Sequence, residues 1–176
     1  MAGAISWSTL PPRSKRVRSR PKEAELQLLD DINHLTFVTS DMDRLISFYD
    51  RVFGARTTVD LQEEGLRHAF IEVGPRTVLH PFQVPGVEPP GRQPFFRRGR
   101  LDHFALSAAS EEAFRELRRR VVAEGASDSE VTDMGSMLLF SFLDPDEGRH
   151  EVVWRKPGVP VEAGLRRAEW RTAEIP

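Results

Sequence analysis

Cysteine is missing from this chain altogether. That absence excludes a disulfide framework, a thiolate metal site and a cysteine nucleophile, so any metal would have to be held by imidazole and carboxylate. Charge of one sign is also lacking. The formal net charge of −2 gives no reason to expect nucleic acid as a partner. No stretch approaches the roughly 20 apolar residues that a membrane span needs, and the N-terminus lacks the continuous apolar segment of a secretory signal. The expectation is a cytoplasmic protein without a membrane partner.

What is present suits a soluble globular fold: 176 residues, 39% of them hydrophobic and 30% charged. That length allows one domain with a real core, or two small modules fused into one. Residues 1–30 separate by composition, because PPRSKRVRSRPKEAE is basic and carries prolines but no apolar periodicity. Such a segment cannot offset its ordering entropy, and it reads as a flexible arm. Residues 156–176 read as a similar tail, with Leu165 and Trp170 able to pack back on the body.

Between these ends the pattern runs strand, helix, strand, strand, strand, and then repeats. Asp31–Thr39 alternates with a period of two. Ser40 and Asp41 offer an N-cap to a helix over Met42–Phe53, in which Leu45, Phe48, Val52 and Phe53 share a face before Gly54. Strand-like runs follow at about Arg56–Leu61, Leu66–Val73 and Arg76–Val84, separated by turn residues. This is module one, residues 31–84. The proline- and glycine-rich stretch 85–99 is a linker that cannot be a central strand. Module two, residues 100–155, restarts with Leu101–Ser107, a helix over Glu111–Glu124 capped by Ser110 and closed by Gly125, and strands near Ser129–Thr132, Ser136–Leu143 and Arg149–Arg155. The tight turn Asp144–Gly148 precedes the last of these. The fold class is therefore α+β, two βαβββ modules forming a curled mixed sheet.

An internal repeat supports this division. An offset of 103 − 34 = 69 residues relates His34 to His103, and the same offset carries Leu45, Phe48 and Val52 onto Phe114, Leu117 and Val121. After the helix the offset becomes 125 − 54 = 71, which carries His80 onto Glu151. Parity then places these groups. Leu35 and Phe37, like Phe104 and Leu106, should face the helices, leaving His34 and His103 on the opposite face. If the modules curl face to face, all four ionisable groups converge.

A lone strand histidine is ordinarily structural, satisfied by a backbone partner. Two at equivalent repeat positions, joined by a carboxylate on a closing strand, match the His₂-carboxylate set that holds Fe(II), Mn(II) or Zn(II) with open positions. His34, His103 and Glu151 are thus the candidate metal ligands, and His80 and Glu151 the candidate catalytic groups. His80 has three readings: a fourth ligand, a proton-transfer or substrate-binding group, or a structural side chain. His68 and His150 read as structural. Arg92, Arg97, Arg98 and Arg100, with Phe95 and Phe96 among them, read as solvated linker; lining a cleft mouth for an anionic substrate is the alternative.

At these residues the chain resembles the vicinal oxygen chelate superfamily, which includes glyoxalase I, extradiol dioxygenases, fosfomycin-resistance enzymes and bleomycin-resistance proteins. The resemblance rests on INHLTFVTSDMDRLISFYDRVFGA, LDHFALSAASEEAFRELRRRVVAEGA and FLDPDEGRHEVVW, spanning about Asp31 to Arg155. It implies two βαβββ modules and a divalent metal ion (Fe2+, Mn2+, Ni2+ or Zn2+) at His34, His103 and Glu151. The activity implied is lyase or isomerase chemistry of the glyoxalase-like type on a small-molecule substrate chelated through vicinal oxygens. The alternatives are an Fe(II) extradiol-type dioxygenase and a metal-free binding or antibiotic-resistance protein. A homodimer is implied as well. Two departures stand out: glyoxalase I usually has a glutamate where this chain has His80, and the extradiol signature has a tyrosine ahead of the glutamate, whereas Tyr49, the only tyrosine, lies on the first helix.

Overall fold

The structure, a computed structural model, describes residues 32–63, 65–94, 96–99, 101–128, 130–160 and 169–175. The basic arm expected over 1–30, and with it Phe95, Arg100 and Leu165, lie outside the described residues.

Module one runs β1 (His34–Val38), α1 (Met42–Phe53), β2 (Arg56–Glu63), β3 (Leu66–Glu72) and β4 (Val78–Gln83). The helix starts where the sequence offers a cap: the Asp41 side chain accepts a hydrogen bond from the backbone N–H of Arg44 at 3.0 Å. It stops at Gly54, whose φ of 65° lies in the left-handed region that only glycine enters freely. Module two repeats the order with β5 (Ala105–Ser107), α2 (Glu111–Ala123), β6 (Thr132–Asp133), β7 (Met137–Leu143) and β8 (Arg149–Arg155). Ser110 caps α2 through the N–H of Ala113.

Each module forms a mixed sheet in which the first strand pairs parallel with the last. The strand orders are β1-β4-β3-β2 and β5-β8-β7-β6-β9. Thus the fold is α+β, as the repeat implied, with curled sheets that do not close into a barrel. The fifth strand of the second sheet, β9 (Arg171–Thr172), was not expected. It pairs antiparallel with β6, and Ile175 beyond it is buried. This part of the tail is therefore built into the fold rather than solvated, because Ile175 supplies apolar area and Arg118 donates to its carbonyl at 3.0 Å. No described helix is long and apolar enough to cross a membrane.

One core serves both modules. Leu45, Phe48, Tyr49 and Val52 of α1 share it with Phe114 and Val121 of α2 and with Phe140, Phe142 and Val152 of the second sheet. Phe48 stacks on Phe142 with ring centroids 6.2 Å apart, so the first helix packs against a strand of the other module. Polar contacts reinforce this seam. The Asp146 carboxylate, 5% exposed, accepts from the hydroxyls of Thr39 and Ser40, from the Ser40 N–H at 3.1 Å and from Arg44 at 3.2 Å. The end of β1 is thereby tied to the turn before β8.

Candidate metal centre

The parity expected for the first strands is observed. Leu35, Phe37, Phe104 and Leu106 pack against the core, while His34, Thr36, Ala105 and Ser107 are exposed. In module one Thr36 pairs with His80, and in module two Ala105 pairs with Glu151. Each histidine therefore sits two residues before the cross-strand partner of the closing group, in the same diagonal relation.

Two pairs result. His34 and His80 have ring centroids 5.3 Å apart, and His103 Nε2 lies 3.7 Å from Glu151 Oε2. An ion bonding nitrogen and oxygen at about 2.0–2.2 Å each can span the second gap. Among the described residues, no set of three or more His, Asp or Glu side chains is gathered at a metal-holding spacing within the chain.

The donor chemistry of each pair nevertheless suits a cation. His103 Nδ1 donates to Asp102 Oδ2 at 2.9 Å, which fixes the tautomer so that the ring's lone pair is on Nε2. Asp102 is fixed in turn, because its Oδ1 accepts the N–H of Phe96 at 2.5 Å. The hydrogen bond from His103 is the main reason its carboxyl is held below the usual carboxylate range. His34 Nδ1 is tied in the same way to Asn33 Oδ1 at 2.9 Å. Glu151 is partly buried, with 17% of its side chain exposed beside a 32% exposed His103.

His80 sits among aromatic rings. Phe70 meets it edge-on at 4.4 Å and Phe82 lies at 4.5 Å. Burial, then the neighbouring His68 and His34, lowers its pKa below the ordinary 6.5. A neutral His80 at physiological pH can accept or relay a proton.

Sequence reasoning missed three of these groups. Asn33 and Asp102 precede the two histidines at the same 69-residue offset, so the dipeptides NH and DH were a legible signal. His68, read as structural, bonds His80 with 3.1 Å between His68 Nδ1 and His80 Nε2; the buried Ala69 and Ile71 set the strand parity that reveals it. His150 does have a structural place: its Nε2 lies 3.1 Å from Asp144 Oδ2 and its ring stacks on Phe104 at 3.8 Å. Of the linker arginines, Arg98 donates to the carbonyls of Gln93, Asp102 and Arg149, so it pins the linker. Phe96 is 83% exposed. A cavity of about 240 Å³ is lined by His103 together with the core-facing Leu35, Phe37 and Phe104 and the charged Asp144, Asp146 and Arg149, whereas His34, His80 and Glu151 do not line it.

Comparison with known proteins agrees with this architecture. The sequence profile described as the Glyoxalase/Bleomycin resistance protein/Dioxygenase superfamily matches residues 31–152. No curated protein matches the chain. Among solved structures, a glyoxylase/bleomycin resistance protein/dioxygenase domain from Frankia sp. EAN1pec is similar with a TM-score of 0.61 at 19% identity, over 74% of this chain and 95% of that one. The fosfomycin resistance protein FosX from Listeria monocytogenes, solved with Mn(II) and sulfate, gives 0.56 at 16% identity, over 79% and 100%. The trypanothione-dependent glyoxalase I of Leishmania major gives 0.52 at 20% identity, over 71% and 86%. At these identities the likeness concerns the fold.

Proposed function

The chain belongs to the Glyoxalase/Bleomycin resistance protein/Dioxygenase superfamily, and on that premise we propose that it is a divalent-metal-dependent enzyme acting on a small molecule through two adjacent oxygens, in lyase or isomerase chemistry. The observation that carries the reading is the 3.7 Å pair of His103 and Glu151, with His103 oriented by Asp102. His34, His103 and Glu151 would hold the ion. Fosfomycin resistance protein FosX, a neighbour in fold, was solved with Mn(II), which supports a divalent cation here.

A bound divalent ion supplies Lewis acidity, stabilising negative charge that develops on a chelated oxygen. The protein's own groups do the rest. Asp102 and Asn33 orient the two imidazoles, Glu151 contributes negative charge, and His80, neutral and set among Phe70 and Phe82, moves a proton. Because each module carries one pair of these groups, a homodimer is part of the proposal: module one of one protomer facing module two of its partner would bring both pairs to one ion.

The experiment is metal analysis of protein purified without chelator, alongside His103→Ala and Glu151→Gln. One equivalent of nickel, zinc or manganese per site, lost in both variants, is the expected result. Iron would instead favour the extradiol-type dioxygenase, and absence of any metal the binding or antibiotic-resistance reading. An unchanged metal content in His103→Ala would overturn the ligand assignment.

A further inference from the structure

The outer face of the first sheet carries three imidazoles in a row, one each from β1, β4 and β3. His34 meets His80 edge-on at 5.3 Å and 75°, and His80 in turn meets His68, with 3.1 Å between its Nε2 and Nδ1 of His68. His68 is itself fixed. Its ring stacks on Phe82 at 5.2 Å and 12°, and Phe82 is its cross-strand partner. The His80 ring is therefore bounded by Phe70, Phe82, His34 and His68, and a single hydrogen bond decides which of its nitrogens is in use.

A bond between two imidazole nitrogens needs one protonated partner and one bare one. An isolated neutral histidine side chain favours the Nε2–H form. Giving that form to both rings satisfies the contact at once, with His80 Nε2 donating to Nδ1 of His68. Nδ1 of His80 then keeps its lone pair, and no hydrogen bond among the described residues engages it.

We infer that His68 is a positioning residue: it takes the Nε2 proton of His80 and so leaves Nδ1 of His80 as the nitrogen able to accept a proton. The inference rests on the reading of His80 as a proton-moving group, and it favours that role over service as a fourth ligand through Nε2. It goes beyond the metal set, since His68 belongs to no ligand pair.

The test is two-bond 1H–15N correlation of the histidine side chains in the metal-free protein, at a pH well above the ordinary histidine range. His80 in the unsubstituted protein should show a protonated, slowly exchanging Nε2 and a bare Nδ1. His68→Phe keeps a ring to stack on Phe82 but removes the acceptor, and His80 should become a rapidly exchanging mixture of both tautomers. His68→Asn, which places an amide oxygen near the lost Nδ1, should restore the single form. A proton on Nδ1 of His80 in the unsubstituted protein overturns the assignment, as does an unaltered His80 spectrum in His68→Phe. The first of these needs no variant, so a His68 substitution that fails to fold leaves the assignment exposed to refutation. Metal content, on which the ligand reading stands or falls, should be the same in all three proteins. If His80→Ala retained turnover, the proton-moving role would fail whatever the tautomer.

Discussion

Nδ1 of His103 lies 2.9 Å from Oδ2 of Asp102, the residue immediately before it in the chain. The carboxylate holds the imidazole with its Nε2 3.7 Å from Glu151 Oε2, and removing such an orienting partner typically lowers metal affinity 10–100-fold. Asp102→Ala should therefore weaken Mn2+ or Zn2+ binding by roughly 10–100-fold in calorimetric titration, with the fold intact. Equal affinity in the variant would show that the pairing does not serve a metal.

Asn33 bonds His34 in the same next-neighbour geometry but without a charge. Hydrogen bonds to ionised groups are about twice as strong as neutral ones, so Asn33→Ala should weaken binding less than Asp102→Ala. The same titration, run on both variants, checks the order.

Stability should depend on His80 in the acid range. Its folded pKa lies below the ordinary 6.5 because burial, and then His68 and His34, disfavour the charged ring. Between those two values the unfolded chain binds the proton and the folded chain does not, so stability is complete above 6.5 and falls as pH drops through the folded pKa. Urea unfolding midpoints measured across that window should fall with acidification, and less steeply in His80→Phe.

Tyr49 is fully buried, and its hydroxyl has no hydrogen-bond partner among the described residues. Burial is the leading reason its pKa is pushed up. An unsatisfied buried hydroxyl costs about 1–3 kcal/mol, so Tyr49→Phe should stabilise the protein by about 1 kcal/mol. Chemical denaturation provides the measure, and a destabilised variant would point to a partner for that oxygen.

Asp146→Ala should act in the opposite direction. Removing the carboxylate leaves the hydroxyl of Thr39, a buried residue, with only its longer 3.3 Å contact to the Asp41 carbonyl, and takes the partner from the N–H of Ser40. Hydrogen bonds to a charged group contribute about 1.5–3 kcal/mol, and a loss of roughly 2–3 kcal/mol in unfolding free energy is expected.

Much of this architecture was legible because the repeat and strand parity are local, periodic properties. His34 and His103 could be assigned to the face away from the helices from Leu35, Phe37, Phe104 and Leu106 alone, and the helix limits followed from Asp41, Gly54 and Ser110. Pairings across strands were harder to read. His68 lies 12 residues from His80; Ala69 and Ile71 in its strand give its face, but not the antiparallel register that brings the two nitrogens together. β9 was missed for a similar reason: a two-residue strand has no period to detect, and it exists because β6 offers an open edge. The seam is non-local too, since Asp146 reaches back 106 residues to Ser40.

Asn33-His34 and Asp102-His103 each package a prospective ligand with its own brace inside two consecutive residues. A module built this way needs no help from distant loops to aim its imidazole, so copying the module transmits aim and donor together. The closing strand is then at liberty to change, carrying an imidazole in one half and a carboxylate in the other, and the two halves can acquire different duties without either losing its hold on the first.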